Sequence, residues 1–325
     1  MHDAPLSGCA EDGVERIPEI SVVIPCRNEE ANAEAIAQAV IAVLEPLVAD
    51  FEIIFIDNGS QDRTVAILRD LCRREPRVRL IVNTRNFGQM RSPTYGIFAA
   101  RGRAVIGMCA DFQDPPALLP EFVARWRAGT AIVLGVREAE HGRPLLAAVR
   151  ALAYRTQRAI ADHPIVPGAT GFGLYDRRVV AAIAALNEPE PFFRALLVET
   201  GHDLETIGYS RPARAGGRSN NHVFALLDFA LNGLAASSKR LLRAPLYLAF
   251  AIAMLTLCSL GGAVWAGLTG HSVQLWLLAA VLEGQSALLF LFLGLIGVQV
   301  QLVADRTRNQ PLVIERERVN FPPMP

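Results

Sequence analysis

The chain has no surplus of either charge. Its 32 Lys and Arg are matched by 32 Asp and Glu, so it lacks the basic footprint of a nucleic-acid partner. It also lacks paired cysteines. Cys9, Cys26, Cys72, Cys109 and Cys258 are scattered without a CxxC spacing. That argues against a zinc site or a disulfide framework and leaves free thiols, as in a reducing cytosol. Residues 1–18 are polar and mixed in charge. Without an apolar h-region they are expected to form a polar tail and not a signal peptide. No GxGxxG follows the first apolar run, so a nicotinamide or flavin dinucleotide site is not expected. No GxxxxGK[ST] occurs, which excludes P-loop chemistry.

What the chain has in excess is apolar residues, 51% of the total, concentrated in the last third. Pro245 to Leu268 runs 24 residues without a charge, and Gly284 to Ala304 runs 21, lengthened at its start by Leu275 to Leu282. About 20 apolar residues cross a bilayer as a helix. Two buried core helices are the alternative, but adjacent runs of this length favour membrane spans. The connection Thr269-Gly270-His271-Ser272 is short, so the expected unit is a hairpin over 245–304, with spans at 245–268 and about 275–304. Lys239, Arg240 and Arg243 precede it, and Arg306 and Arg308 follow it. The positive-inside rule then puts both flanks in the cytoplasm, with residues 305–325 as a cytoplasmic tail. Glu283 reads as an interfacial acid or a functional one. Small residues such as Gly261, Gly262, Gly294 and Gly297 would permit close helix contact, and a homo-oligomer through the hairpin is plausible. Val223, Leu226, Leu227, Ala230, Leu231 and Leu234 have helical spacing. Residues 220–244 read as an amphipathic helix, lying on the bilayer or packed on the preceding domain.

Residues 19–219 alternate strand and helix patterns. Strands are expected at Ile20–Pro25, Phe51–Ile56, Val78–Val82, Ala104–Met108 and Ala131–Leu134. Helices are expected after Asn28, from Asp62 to Arg74, from Gly88 to Ala100 and from Leu118 to Trp126. Asn28 can cap the first helix, with Glu29 in its first turn. This alternation predicts an α/β domain with a mostly parallel, doubly wound, Rossmann-like sheet. Polar groups follow each strand, and in such sheets they collect in one crevice at the carboxyl ends. Asp111-Phe112-Gln113-Asp114-Pro115-Pro116 lies there, because the prolines stop the fourth strand. Asp111 and Gln113 are hard oxygen ligands two residues apart. They suit Mg²⁺ or Mn²⁺ that also holds phosphates. Asp114 reads as a binder of metal-bound groups or as a cap for the helix at Leu118.

The segments Val22-Val23-Ile24-Pro25-Cys26-Arg27-Asn28-Glu29-Glu30 and Ile56-Asp57-Asn58-Gly59-Ser60-Gln61-Asp62-Arg63-Thr64 resemble the first two motifs of inverting family 2 glycosyltransferases. Arg85-Asn86-Phe87-Gly88, Ala110 to Pro116 and Gly171-Phe172 followed by Tyr175 to Val180 are similar to motifs of its polyprenyl-phosphate branch, which includes dolichyl-phosphate mannose synthases. The resemblance covers about residues 18–315. It implies a GT-A fold, a nucleotide-sugar donor (UDP- or GDP-linked), Mg²⁺ or Mn²⁺, and a polyprenyl-phosphate acceptor in the membrane. It assigns metal binding to Asp111 and Gln113, with Asp114 and Arg137 also catalytic. Donor binding falls to Pro25, Asn28, Glu29, Asp57, Asn58, Ser60, Asn86, Gly88, Ala110 and Asp111. The acceptor phosphate falls to Arg137, Arg143 and Arg150. Arg143 and Arg150 read equally as surface or headgroup residues, and turn chemistry is the lesser alternative for Asp57 and Asn58. The chain departs from the family pattern at Cys109, which replaces the first Asp of the metal motif, and at Asn58, which replaces an Asp.

A phosphate acceptor is already an anion at neutral pH, so no general base is required and the lack of a catalytic His is expected. In-line attack would invert the anomeric carbon. A different lipid or polysaccharide acceptor, and a degenerate membrane scaffold, are the alternatives.

Overall fold

Ile20–Cys26 (β1), Phe51–Asp57 (β2) and Val78–Asn83 (β3) are apolar on both faces and almost wholly buried. Strands covered on both sides read as continuous apolar runs. In the computed structural model, residues 17–137, 166–210 and 311–321 are described, with scattered helical positions between 281 and 307. Arg143, Arg150, the 220–244 helix and the first expected span lie outside the described residues. Among the described residues, no helix is long and apolar enough to cross a membrane.

The helices between these strands are Ala33–Leu44 (α1) and Thr64–Arg74 (α2). On α1, Ala33, Ile36, Ala37, Val40 and Leu44 are buried, a stripe at helical spacing. Gly88–Ala99 (α3) leads to Ala104–Gly107 (β4), and a single 3₁₀ turn at Pro116–Leu118 leads into Leu119–Arg127 (α4). Ile132–Arg137 (β5) and Ala169–Asp176 (β6) follow. Then come Arg177–Ala185 (α5), Phe193–Glu199 (α6), Leu204–Tyr209 (β7) and Glu315–Val319 (β8). One apolar cluster, including Ile24, Val40, Phe55, Leu68 and Phe122, fills one face of the sheet. A second, including Val23, Ile56, Ile97, Tyr175 and Val179, fills the other.

The sheet has eight strands in the order β7-β5-β6-β4-β1-β2-β3-β8. The expected α/β, Rossmann-like architecture is present, but the sheet is mixed and not simply parallel and doubly wound. β1 is parallel to β2 and β4, β2 to β3, and β5 to β7. β6 runs antiparallel between β4 and β5, so the fifth strand does not adjoin the fourth. Gly171-Phe172, expected only as part of a motif, lies with Gly173 in the middle of this inserted strand. A Cβ on Gly173 would meet the Val133 carbonyl oxygen at 2.5 Å. Only glycine allows β5 and β6 to pair there. Residues 305–325 are not a separate tail either. Their β8 pairs antiparallel with β3 and closes that edge.

The amino ends of the central strands hold a buried charge cluster. Glu52, 2% exposed, accepts from the Ser21 hydroxyl at 2.6 Å and the Arg101 N–H at 2.8 Å. It pairs with the Arg79 Nε at 3.0 Å. Arg79 also stacks on Phe321, 5.3 Å from the ring centre, so the C-terminal segment covers this cluster. Removing the acid would strand buried cations. Glu52→Ala is expected to cost about 3–5 kcal/mol of stability in urea denaturation. A loss below about 1 kcal/mol, the range of solvated pairs, would show that water already serves these arginines.

Candidate active site

The carboxyl ends of β1, β2, β3, β4, β5 and β7 and the amino end of β6 face the same way. This is the edge where open α/β sheets bind ligands. Pro25, in β1, pairs in register with Ile56 of β2. Beyond β1 the chain turns at Asn28, whose φ of 57° is left-handed, a conformation asparagine tolerates. Asn28 does not cap α1. Its Oδ1 accepts from the Gln61 N–H at 2.8 Å, and its own N–H donates to Ser60 Oγ at 2.9 Å. The helix begins four residues later than expected, after Asn32. Glu29 precedes that first turn. It is buried, its N–H donates to Thr64 Oγ1 at 2.9 Å, and its Oε2 accepts from Asn32 Nδ2 at 2.7 Å.

After β2, Asp57 folds the turn onto itself. Its Oδ2 accepts from the Gly59 and Ser60 N–H groups, each at 3.1 Å, and its Oδ1 from the Ser60 hydroxyl. Gly59 has φ 76°, and a Cβ there would meet Asn86 N at 2.9 Å. Asn58 is tied in on all sides. Its Nδ2 donates to Asn86 Oδ1 at 2.8 Å and to the Gly88 carbonyl at 3.0 Å. Its Oδ1 accepts from the Phe87 N–H at 2.8 Å and from Asn83 Nδ2 at 3.3 Å. Asn86 Oδ1 also accepts the Gly88 N–H at 2.9 Å. These bonds occupy both ends of the Asn58 amide, so its side chain clamps the loop before α3. The expected helix at Gly88 is set in place by the same contacts.

After β4 the chain makes a tight turn. Ala110 is buried, Asp111 is 9% exposed, and Phe112 has φ 60°. The Gln113 N–H donates to Asp111 Oδ1 at 3.2 Å. Asp114 is buried, and it does not cap a helix at Leu118. Its Oδ2 accepts the Cys109 N–H at 2.9 Å, and its Oδ1 accepts the Tyr209 hydroxyl at 3.0 Å. The structure therefore makes Asp114 a brace, and leaves Asp111 and Gln113 as the oxygen donors of the turn. Among the described residues no three His, Cys, Asp or Glu side chains gather as a self-contained metal site. One carboxylate beside an amide does fit Mg²⁺ or Mn²⁺ that takes its other ligands from phosphates and water.

Arg137 is the last residue of β5, opposite Tyr209 at the end of β7. Its N–H donates to the Gly168 carbonyl at 3.1 Å. Tyr209 is a site residue that local sequence pattern does not reveal. It is a strand residue like any other until β7 is placed beside β5. Its ring packs edge-on to Phe172, 5.5 Å between centres. Burial, and then the Asp114 charge, push its phenol up to about 12. Arg137 and Thr170 lie against the phenol oxygen and oppose this rise. Burial, then Asp57, also pushes the Cys26 thiol well up. Arg177 is structural: it donates to the Ala100 and Gly102 carbonyls at 2.7 and 2.9 Å.

Two outcomes follow. Asn58→Asp would lose two donors and set a carboxylate oxygen against Asn86 Oδ1 and the Gly88 carbonyl. It is expected to lower stability by about 1–3 kcal/mol in urea, and an unchanged midpoint would rule out the clamp. The raised Tyr209 proton stabilises the fold fully below about pH 10, the ordinary phenol value, and this contribution is lost as pH rises towards about 12. Cys72, pushed up to about 11 by burial, acts in the same sense. Urea midpoints should therefore fall from about pH 9 to about pH 11, less steeply in Tyr209→Phe; equal slopes would exclude the phenol.

Residues 21–183 match the family described as Glycosyl transferase family 2. The chain is 32% identical over 300 residues to an uncharacterised glycosyltransferase of Synechocystis sp., covering 91% of this chain and 94% of that one. It is 31% identical over 240 residues to the bactoprenol glucosyl transferase of Shigella phage SfV, covering 73% of this chain and 78% of that one. Among solved structures it is similar to a glucosyl-3-phosphoglycerate synthase from Mycobacterium tuberculosis bound to Mn²⁺, UDP and glucosyl-3-phosphoglycerate. The TM-score is 0.44 and the identity 21%, over 67% of this chain and 78% of that one. With the matched family spanning half of the chain and a near full-length relative at this identity, the chain belongs to glycosyl transferase family 2.

Proposed function

We propose that this glycosyltransferase moves a sugar from a UDP- or GDP-sugar to a polyprenyl phosphate at the cytoplasmic face of a bacterial inner membrane. The observation that carries this reading is the Asp114–Tyr209 bond. It draws the turn bearing Asp111 and Gln113 and the strand end bearing Arg137 to one side of the sheet. A donor diphosphate and an acceptor phosphate need such a pairing of oxygen ligands with a guanidinium. The names of relatives such as the bactoprenol glucosyl transferase of Shigella phage SfV support the acceptor class.

In this reading Asp111 and Gln113 hold a divalent ion. When bound, that ion neutralises charge on the departing nucleoside diphosphate. The loops at Pro25, Asn28 and Glu29, at Asp57 and Ser60, at Asn86 and Gly88, and at Ala110 shape the donor side. Arg137 holds the acceptor phosphate by charge-assisted hydrogen bonds, with Arg143 and Arg150 assigned to the same phosphate. The phosphate oxygen attacks the anomeric carbon in line, and inversion follows. No side chain has to remove a proton, because the nucleophile is already ionised.

The membrane part rests on the apolar runs at 245–268 and about 275–304. Within the second, Leu282, Leu289, Ile296, Val300 and Val303 are helical and 55–63% exposed. Their spacings of seven, seven, four and three place them on one helix face. An exposed apolar face of this kind suits lipid contact.

The test uses the full-length protein in detergent with undecaprenyl phosphate, Mg²⁺ or Mn²⁺, and a panel of UDP- and GDP-sugars, read by mass spectrometry. A lipid-phosphate-sugar is expected with one donor and should vanish with EDTA. Asp111→Ala should lower the rate more than the roughly 10–100-fold seen when only an outer-shell metal partner is lost. Product formed only on a different lipid or a polysaccharide, or no turnover from folded protein, would overturn the acceptor assignment.

A further inference from the structure

The rim of the crevice beyond β3 carries two exposed arginines, Arg85 and Arg316, from distant parts of the chain. The Arg316 guanidinium donates to the carbonyl of Thr84, the residue before Arg85, at 3.1 Å. The Arg85 guanidinium donates to the Asn86 carbonyl at 3.1 Å and stacks on Phe87, 4.1 Å from the ring centre. Neither forms an ion pair among the described residues. The acids of β8 are already taken, Glu315 by Arg318 at 2.6 Å and Glu317 by Arg69. Glu190 is matched by Arg91 of α3, at 3.7 Å. Arginines on the helices behave differently: Arg73 meets Asp70 at 2.9 Å, and Arg125 meets Glu121 at 2.7 Å. Ile314 adjoins the two unpaired cations. Its carbonyl is held by the Thr84 N–H and hydroxyl, yet the residue is 56% exposed.

The chain itself limits how far this rim stands from the last apolar run. That run ends at Ala304, and Thr307 is still helical. Pro311, whose carbonyl accepts from Arg91 at 2.7 Å, comes four residues later. Four residues reach about 14 Å at full extension. Two further cations, Arg306 and Arg308, lie between Ala304 and Pro311. We propose that the Arg85–Ile314–Arg316 rim is a docking surface for anionic phospholipid headgroups of the bilayer that holds the apolar run. This rests on the membrane part of the functional reading above. Each arginine close to an anionic leaflet raises affinity roughly five-fold. An apolar side chain among the cations suits the boundary between headgroups and acyl chains. A soluble nucleotide would gain nothing from Ile314, so the rim fits the bilayer better than the donor. Docked in this way, the loop at Asn86 and Gly88 sits at headgroup level, where a lipid-borne acceptor also resides.

The experiment titrates short-chain phosphatidylglycerol, and phosphatidylcholine of the same chain length, into the full-length protein in neutral detergent, read by calorimetry. Glycerol 3-phosphate tests the headgroup without its chains, and UDP with Mg²⁺ tests the donor site. Wild type is expected to bind phosphatidylglycerol more tightly than phosphatidylcholine or glycerol 3-phosphate. Arg85→Gln and Arg316→Gln should each weaken phosphatidylglycerol binding roughly five-fold, and Arg85→Lys and Arg316→Lys should keep it. Ile314→Gln should weaken it as well, and UDP affinity should hold throughout. Arg85 makes no bond to β8, so Arg85→Gln decides the matter if Arg316→Gln does not fold. No preference between the two lipids in wild type, or equal phosphatidylglycerol affinity in wild type and Arg85→Gln, would overturn the proposal. A loss of UDP affinity would assign the cations to the donor and overturn it too. Glycerol 3-phosphate bound as tightly as the lipid would make the rim a soluble-anion site, with the same consequence. The glycolipid assay above keeps the two readings apart. Lipid preference without glycolipid product sinks only the transfer reaction, and product without lipid preference sinks only this proposal.

Discussion

A single buried carboxylate fastens the two halves of this sheet where they meet the crevice. Asp114 accepts the Cys109 N–H on one oxygen and the Tyr209 hydroxyl on the other. The first bond closes the turn that follows β4. The second reaches across β6 and β5 to the end of β7. Buried carboxylates are tolerated when their lone pairs are filled in this way, and charge-assisted bonds are the stronger kind. Without this brace the turn bearing Asp111 and the strand end bearing Arg137 would be joined only through the antiparallel ladder of β6.

The opposite rim is held by amides. Asn58 ties the end of β2 to the loop entering α3, and that loop is gripped again from outside by the C-terminal segment. The Thr84 N–H and hydroxyl both donate to the Ile314 carbonyl, at 2.9 and 3.1 Å. Arg316 returns a bond to the Thr84 carbonyl at 3.1 Å, and Arg91 of α3 donates to the Pro311 carbonyl at 2.7 Å. The residues that follow the last apolar run therefore come back to brace the Asn86–Gly88 loop. An edge strand that is also a fastening solves two problems at once. It covers the open edge of β3, and it couples the end of the chain to the crevice.

The sequence patterns located five strands and the helices between them, because apolar runs bounded by Gly, Pro, Asn and Asp are local signals. Asp111 and Gln113 could be placed at a strand end for the same reason. What stayed hidden depends on pairing partners distant in the chain. β6 carries Thr170, Gly171 and Gly173 in place of bulky apolar residues, so its periodicity is weak. β8 reads as charged, Glu315-Arg316-Glu317-Arg318, because edge strands tolerate charge. Tyr209 shows no signal until β7 is set beside β5. The bonds of the Asn58 amide to Asn86, Gly88, Phe87 and Asn83 were equally invisible, because they join the ends of β2 and β3 to the loop entering α3.

Asn58, where the family pattern has an Asp, has an electrostatic meaning for the proposed reaction. On that reading the crevice would admit a diphosphate and a lipid phosphate together, so every extra fixed anion would oppose binding. An amide at position 58 is neutral at any pH, where a carboxylate would add charge at the end of β2. Burial acts in the same direction elsewhere. It holds the Cys26 proton, and it keeps the Tyr209 phenol neutral far above physiological pH. Asp114 and Asp57 remain, but their oxygens are turned inward onto N–H and O–H donors. On the proposed reaction, Asp111 would meet the divalent ion and Arg137 the acceptor phosphate. A nucleophile that arrives ionised needs this separation of charges more than it needs a base.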